Sequence, residues 1–287
     1  MTDFITVIGS ANWDVIARSA RVMQLHDDMP GTVSRHPGGV GLNIALKLVG
    51  HGAKVALVSA IGRDALGDAL TEVIEARGIE TRYLYRTDRP TDTYIAVEAA
   101  NGLVGAIFDA RSLEAVDEAL VEPLAKMDPP RLPVVIDGNL TETTLAALAA
   151  HETLAGADLR LVPASPGKAE RLRGFVTGGR GLLYCNTHEA RVISGKDVIT
   201  ARDAADALLE MGAARVLVTD GSAECVCADP SAIHAATPPP IETRIVTGAG
   251  DSFMAGHIMA EIAGLSRQDA LEAAIAAAQT HMTKDPT

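Results

Sequence analysis

With 287 residues, 47% of them hydrophobic and 22% charged, the chain is long enough for one large domain and apolar enough to pack a core. Its formal net charge of −12 repels nucleic acid and anionic membrane, so neither is an expected partner, and an anionic ligand needs a local positive potential such as a helix N-terminus. Cys185, Cys225 and Cys227 are too sparse for a disulfide framework and lack zinc spacing, the first residues carry no leader pattern, and no apolar run approaches the roughly 18 residues of a membrane span, so a cytoplasmic protein is expected.

In chain order, Ile5–Ser10 reads as a short apolar strand. Gly41–Gly52 carries Leu42, Ala45, Leu48 and Val49 at helical spacing and stops at glycine, and Lys54–Gly62 is a second buried strand. A helix follows Asp64, with Leu66, Leu70, Val73 and Ile74 on one face and Gly78 at its end. Further strands are expected at Thr93–Glu98, Val104–Asp109, Pro133–Gly138, Arg160–Ala164, Leu182–Asn186, Arg215–Thr219, Glu224–Ala228 and Ile233–Ala236. Helices fit near 141–151, 187–194, 201–212, 249–263 and 267–282. This alternation implies a mainly parallel sheet covered on both faces. Two stretches break the rhythm. Residues 15–35 hold no helical pattern, and 82–110 read as consecutive strands turning at Asn101-Gly102. Such insertions form either a small flap over a ligand or edge strands of the main sheet, and the flap is the favoured reading.

Five clusters carry chemistry. Gly9-Ser10-Ala11-Asn12-Trp13-Asp14 follows the first strand, where ligands gather in open parallel sheets. The Asp14 carboxylate suits a vicinal diol, although an Asx turn uses the same residues. Pro37-Gly38-Gly39-Val40-Gly41-Leu42-Asn43 joins paired glycines to an Asn in the first turn of a helix, which suits a sugar hydroxyl or a plain turn. Val246-Thr247-Gly248-Ala249-Gly250-Asp251 opens an apolar helix. The amides of Gly248, Ala249 and Gly250 would converge as an anion hole for a transferring phosphoryl group. Asp251, kept ionised by the helix dipole, would take or orient the proton of an attacking hydroxyl. An Asp that merely favours its own helix does not explain the three small residues before it. Asn186-Thr187-His188-Glu189 offers Asn186 and Glu189 to hydrated Mg2+, and Thr219-Asp220-Gly221-Ser222 offers amides and hydroxyls to phosphates; either can be a turn. No G-x-x-x-x-G-K-[ST] segment is present, which excludes a P-loop enzyme.

In this order the pieces resemble the ribokinase-like (PfkB) family. Gly38, Gly39, Asn43 and Gly52 match its first signature, Gly248–Asp251 its G-A-G-D segment, and Asn186 with Glu189 its N-x-x-E element, over about residues 5 to 280. The resemblance implies an α/β fold, a Rossmann-like three-layer sandwich with a small β-sheet lid. It implies one kinase domain over 1–287 with lid segments near 15–35 and 82–110. It implies Asp251 as catalytic base and Gly248, Ala249 and Gly250 as the anion hole. Asn12, Asp14, Gly38, Gly39 and Asn43 would bind substrate hydroxyls, with Thr93, its neighbour Tyr94 and Asn139 as further substrate contacts. Asn186, Thr219, Gly221, Gly248, Gly250 and Gln279 would meet ATP, and Glu189 with Asn186 would hold Mg2+ through water.

Within the family the likeness is to the branch acting on pseudouridine, carried by Gly9-Ser10-Ala11-Asn12-x-Asp14-Val15, Asp137-x-Asn139 and Pro163-x-Ser165 with Lys168. Val162 departs from that branch, which has Asp before the Pro. The expected reaction is phosphorylation of a nucleoside 5′-hydroxyl, pseudouridine first. Ribokinase-, adenosine kinase- and fructokinase-type acceptors are the alternatives, followed by a non-catalytic nucleoside sensor. K+ is expected through backbone carbonyls only, because Ile245 stands where many members carry an acid or amide. A homodimer through the lid strand edges is the expected assembly.

Overall fold

The computed structural model describes residues 4–24, 26–127 and 130–284. Residue 25 of the expected lid segment and both extremes of the expected 1–287 span lie outside the described residues. The chain enters the main sheet with β1 (Ile5–Ile8) and leaves it at once for β2 (Asn12–Arg18) and β3 (Thr32–Gly38) of a second sheet. It returns through α1 (Val40–Gly50) to β4 (Val55–Gly62), followed by α2 (Ala65–Ala76), β5 (Ile79–Glu80) and β6 (Leu84–Thr87). β7 (Thr93–Ala99) and β8 (Gly102–Asp109) complete the second sheet. Then come α3 (Arg111–Glu114), β9 (Val134–Asp137), α4 (Glu142–Ala150), β10 (Leu159–Val162), α5 (Arg173–Thr177), β11 (Leu182–Asn186) and α6 (Thr187–Ser194). The chain ends with α7 (Ala201–Glu210), β12 (Arg215–Thr219), β13 (Cys225–Asp229), β14 (Ala232–Ala236), α8 (Ala249–Ile262) and α9 (Arg267–Met282).

The main sheet has ten strands in the order β14-β13-β12-β11-β10-β9-β1-β4-β5, with β6 pairing the far half of β4. It is parallel from β12 onward and antiparallel at the β12–β13–β14 edge. Every residue of β4 is buried, as a parallel strand covered on both faces requires. Neighbouring residues feed opposite layers. Ile8 and Val58 pack with Leu145, Phe175 and Leu208 on one face, while Val7 and Leu57 pack with Leu42, Leu70, Phe253 and Leu271 on the other. These two apolar layers around one sheet are the three-layer sandwich. No helix among the described residues is long and apolar enough to cross a membrane.

The second sheet is the lid, in the order β3-β2-β7-β8, with β2 parallel to β7 and the outer pairs antiparallel. Two boundaries differ from the sequence reading. The lid starts at Asn12 rather than near 15, because the polar residues of Asn12-Trp13-Asp14 hide a strand. Residues 84–87, placed in the lid from sequence, pair with β4 in the main sheet, where a short edge strand lacks a strong pattern. The Asn101-Gly102 turn joins β7 to β8, with Gly102 at φ 101°.

Candidate active site

The site lies beyond the C-terminal ends of β1 and β9, where the lid meets the main sheet. Asp137, the last residue of β9, is fully buried there. Its Oδ2 accepts from the Ser10 amide (2.9 Å), the Ser10 hydroxyl (2.6 Å) and the Gly41 amide (3.2 Å), and its Oδ1 accepts from the Asn139 amide (2.8 Å). One carboxylate thus locks the turn after β1, the start of α1 and the turn after β9.

On the lid side, Asn12 Nδ2 donates to Asp14 Oδ1 at 2.7 Å. Gly38 faces Asn12 across the β2–β3 ladder, and a Cβ on it would lie 2.1 Å from Asp14 Oδ2. Only a bare backbone fits against that carboxylate. Burial raises the Asp14 pKa, opposed by the Asn12 hydrogen bond and the charge of His36. Register places Asp14 opposite Tyr94, and Tyr94 opposite Phe108, so these three share one face of the lid. Their rings meet edge to face at 6.4 Å. Thr93 pairs with Trp13 on the other face, and its hydroxyl donates to the Thr91 carbonyl. The structure therefore brings Tyr94, not Thr93, alongside Asp14. Asn139 is tied into the same network. Its Nδ2 donates to Ser10 Oγ (3.1 Å), while its Oδ1 accepts from Lys168 Nζ (2.8 Å). Its amide thus positions Lys168, whose ammonium lies 4.8 Å from the centre of the Phe108 ring.

The N-terminus of α8 faces this cluster. Gly248 takes the left-handed conformation (φ 84°) that turns the chain into the helix. Of the three amides expected to converge, one is already engaged within the turn. Ala249 N–H donates to the Val246 carbonyl at 3.1 Å, leaving Gly250 and Asp251 as the first-turn amides without an acceptor inside the helix. The Asp251 carboxylate accepts a hydrogen bond from the Asn43 side chain. Burial first, and the nearby Asp137 charge second, push the Asp251 carboxyl up to about 7, against Lys47 and Asn43. This corrects the expectation that the helix dipole keeps it ionised, since burial and a second carboxylate outweigh a screened terminal dipole.

On the other side of Gly250 lies a mostly apolar cavity of about 640 Å3, lined by Thr219, Gly221, Phe253, Ala278 and Gln279 and closed by Pro238–Ile241. The size suits a nucleotide. Gln279 Nε2 donates to the Pro239 carbonyl at 2.6 Å, so it fastens α9 to that closing segment.

Asn186 and Glu189 sit apart from the Asp14 cluster, at the start of α6. They form a capping box: Asn186 Oδ1 accepts from the Glu189 amide and Glu189 Oε2 from the Asn186 amide, both at 2.9 Å. Burial pushes the Glu189 carboxyl up to about 7. No group of three metal-ligating side chains occurs among the described residues. With one Glu189 oxygen outside the capping box, the pair fits a hydrated ion and not direct chelation.

Comparison with known proteins identifies the family. The family described as pfkB family carbohydrate kinase matches residues 2–286. The chain belongs to the pfkB family. It is 29% identical over 261 residues to a pseudouridine kinase of Escherichia coli, covering 88% of this chain and 82% of that one. It is 30% identical over 268 residues to a ribokinase of Mus musculus, covering 87% and 79%. Among solved structures, a carbohydrate kinase from Agrobacterium tumefaciens superposes with a TM-score of 0.83 at 28% identity, covering 96% of this chain and 90% of that one.

As a pfkB kinase, the protein is a phosphotransferase with an alcohol acceptor. Sequence reasoning missed several residues of the resulting site. Asp137 enters the sequence reading only within Asp137-x-Asn139, with no role, and only its contacts reveal a hub. Lys47 and His281 are isolated in sequence, yet Lys47 Nζ lies 3.0 Å from His281 Nδ1. The closing segment of the cavity did leave a signal, the stiff run Pro238-Pro239-Pro240.

Proposed function

We propose that this kinase transfers the γ-phosphoryl group of ATP to the 5′-hydroxyl of a nucleoside, with pseudouridine as the preferred acceptor. The observation that carries this reading is the position of Asp251. It joins Asn43 on the lid side and opens the helix whose Gly250 lines the cavity. A hydroxyl held there meets the phosphoryl group at the Gly250 and Asp251 amides, and Asp251, once ionised, takes its proton. Asp14 and Asn12 would orient the ribose diol. Tyr94 and Phe108, edge to face, and Lys168 present an aromatic and cationic wall beside it, which favours a base over a bare sugar. Similarity to the pseudouridine kinase supports the choice of base.

Mg2+ would neutralise phosphate charge during transfer, with Glu189 touching it through water. Asn186→Ala is expected to cost about 1 kcal/mol of stability by removing the cap. Glu189→Gln keeps the cap and should instead raise the Mg2+ concentration needed for half-maximal turnover. Thermal melts and Mg2+ titrations separate the two effects. K+ has a weak claim, since Ile245 offers no side-chain ligand and the Thr247 carbonyl already faces His281 Nε2 at 2.8 Å.

The lid face opposite Asp14 exposes Val33 (71%), Ile95 (47%) and Ile107 (73%), which supports pairing with a second copy. Three buried free cysteines suit the reducing cytoplasm. The decisive experiment is ADP release from ATP–Mg2+ with pseudouridine, uridine, adenosine, ribose and fructose. Preference for pseudouridine supports the proposal, and faster turnover of ribose, fructose or adenosine replaces the acceptor.

A further inference from the structure

Behind the anion hole runs a chain of contacts that the reaction as described does not use. Lys47 lies one helical turn after Asn43 on the same face of α1, so both reach toward α8. Asn43 bonds the Asp251 carboxylate, and Lys47 is near enough for its charge to act on it. The Lys47 ammonium can only donate, so His281 Nδ1, 3.0 Å away, accepts. The ring proton then sits on Nε2, which donates to the Thr247 carbonyl at 2.8 Å. A Cβ on Gly248 would lie 3.0 Å from that same nitrogen, so the imidazole fills the space behind the turn.

We propose that Lys47 and His281 form one brace: the Lys47 ammonium faces the Asp251 carboxylate and, through the His281 ring, holds the Thr247–Gly248 turn that shapes the anion hole. The inference rests on the kinase reading above. Both are positioning residues, since neither touches the reacting atoms. The brace has an electrostatic reason. Asp137 and Asp251 place two carboxylates together in a chain of net charge −12, and Lys47 is the cation acting on Asp251 from α1. The groups facing Asp251 are Asp137 from β9 and Lys47 and Asn43 from α1; those acting on Lys47 are Asp251 from α8 and Lys284, just beyond α9. The brace has a mechanical reach too, because α9 carries His281 as well as the cavity residues Ala278 and Gln279. The nucleotide wall and the base are thereby fastened through one ring.

The test compares wild type with Lys47→Met, Lys47→Arg, His281→Phe and Asp251→Asn. It reads the pH profile of kcat/KM and the 13C titration of the Asp251 carboxyl in the free enzyme, with melts to show that each variant folds. Lys47→Met should move the acid limb and the carboxyl titration up by about one unit. Turnover then falls about tenfold at pH 6 and changes less than about twofold at pH 9. Lys47→Arg, which keeps the charge and a donor, should restore the wild-type limb. His281→Phe, which frees the turn, should lower kcat about tenfold at every pH. A limb and a carboxyl titration that stay put in Lys47→Met, or that move equally in Lys47→Arg, overturn the brace while Asp251→Asn remains inactive. Full turnover by Asp251→Asn would overturn Asp251 as the base and the brace together. If Lys47→Met does not fold, Lys47→Gln carries the same comparison.

Discussion

Asp251→Asn is expected to reduce phosphoryl transfer by about 10³-fold while making the folded protein more stable above pH 7. The loss follows from removing the group proposed to take the acceptor proton. The gain follows from linkage. The Asp251 carboxyl rises from 3.8 to about 7 on folding, through burial and the neighbouring Asp137 charge. Between those values the folded protein keeps a proton that the unfolded chain has released. Stability therefore falls as pH rises through that window, and the whole penalty is present above about 7. At about 1.4 kcal/mol per unit the shift corresponds to a penalty on the order of 4 kcal/mol. Asparagine is neutral at every pH and escapes it. Urea melts of both proteins at pH 5 and pH 8 check the sign: the variant should gain at pH 8 and gain less than about half as much at pH 5. A variant less stable at pH 8 would mean that Asp251 is well solvated as a carboxylate.

Gly38→Ala should be nearly as damaging, for a different reason. Its methyl would lie 2.1, 2.3 and 2.5 Å from Oδ2, Cγ and Oδ1 of Asp14. The strands cannot part to make room, because Gly38 sits in the β2–β3 ladder opposite Asn12. The Asp14 carboxylate must rotate away and leave its Asn12 hydrogen bond. A diol loses two charge-assisted bonds, and the acceptor KM should rise about 100-fold. The nucleotide cavity lies beyond Gly250, so KM for ATP should change less than about twofold. Steady-state kinetics with each substrate varied in turn decides this. An unchanged acceptor KM would remove Asp14 from the acceptor site.

The sequence shows the parts of this site that are local. Alternating apolar runs give the parallel sheet, because a strand buried on both faces needs continuous apolar residues. Gly38, Gly39, Asn43 and Gly248 to Asp251 are legible because turns and helix starts demand particular residues at fixed offsets. What stays hidden depends on distant partners. Lys47 and His281 are 234 positions apart, and nothing in either neighbourhood announces the other. The ionisation of Asp251 reads wrongly from its helix alone, since its burial, and after it the Asp137 carboxylate from β9, come from tertiary packing. Asn186 and Glu189 show a further difficulty: the same N-x-x-E spacing serves a capping box and a hydrated ion, and local sequence cannot separate them. Thr93 and Tyr94 are distinguished only by strand register, which a single residue reverses.

The central place of β1 bears on how the chain is made. Its four residues pair with β4 and with β9, so the middle of the sheet cannot close until Asp137 has been synthesised. The helix that supplies Asp251 comes more than a hundred residues later, and its Phe253, Met254 and Ile258 cover the face carrying Val7 and Leu57. A nascent chain therefore carries an uncovered apolar sheet face through most of its synthesis, and contacts this remote in sequence form slowly. Chains stopped before Ala249 should be lost to aggregation rather than persist as weak kinases. The last seventh or so of this protein acts as the cover of its own core before it acts as the proposed seat of the base.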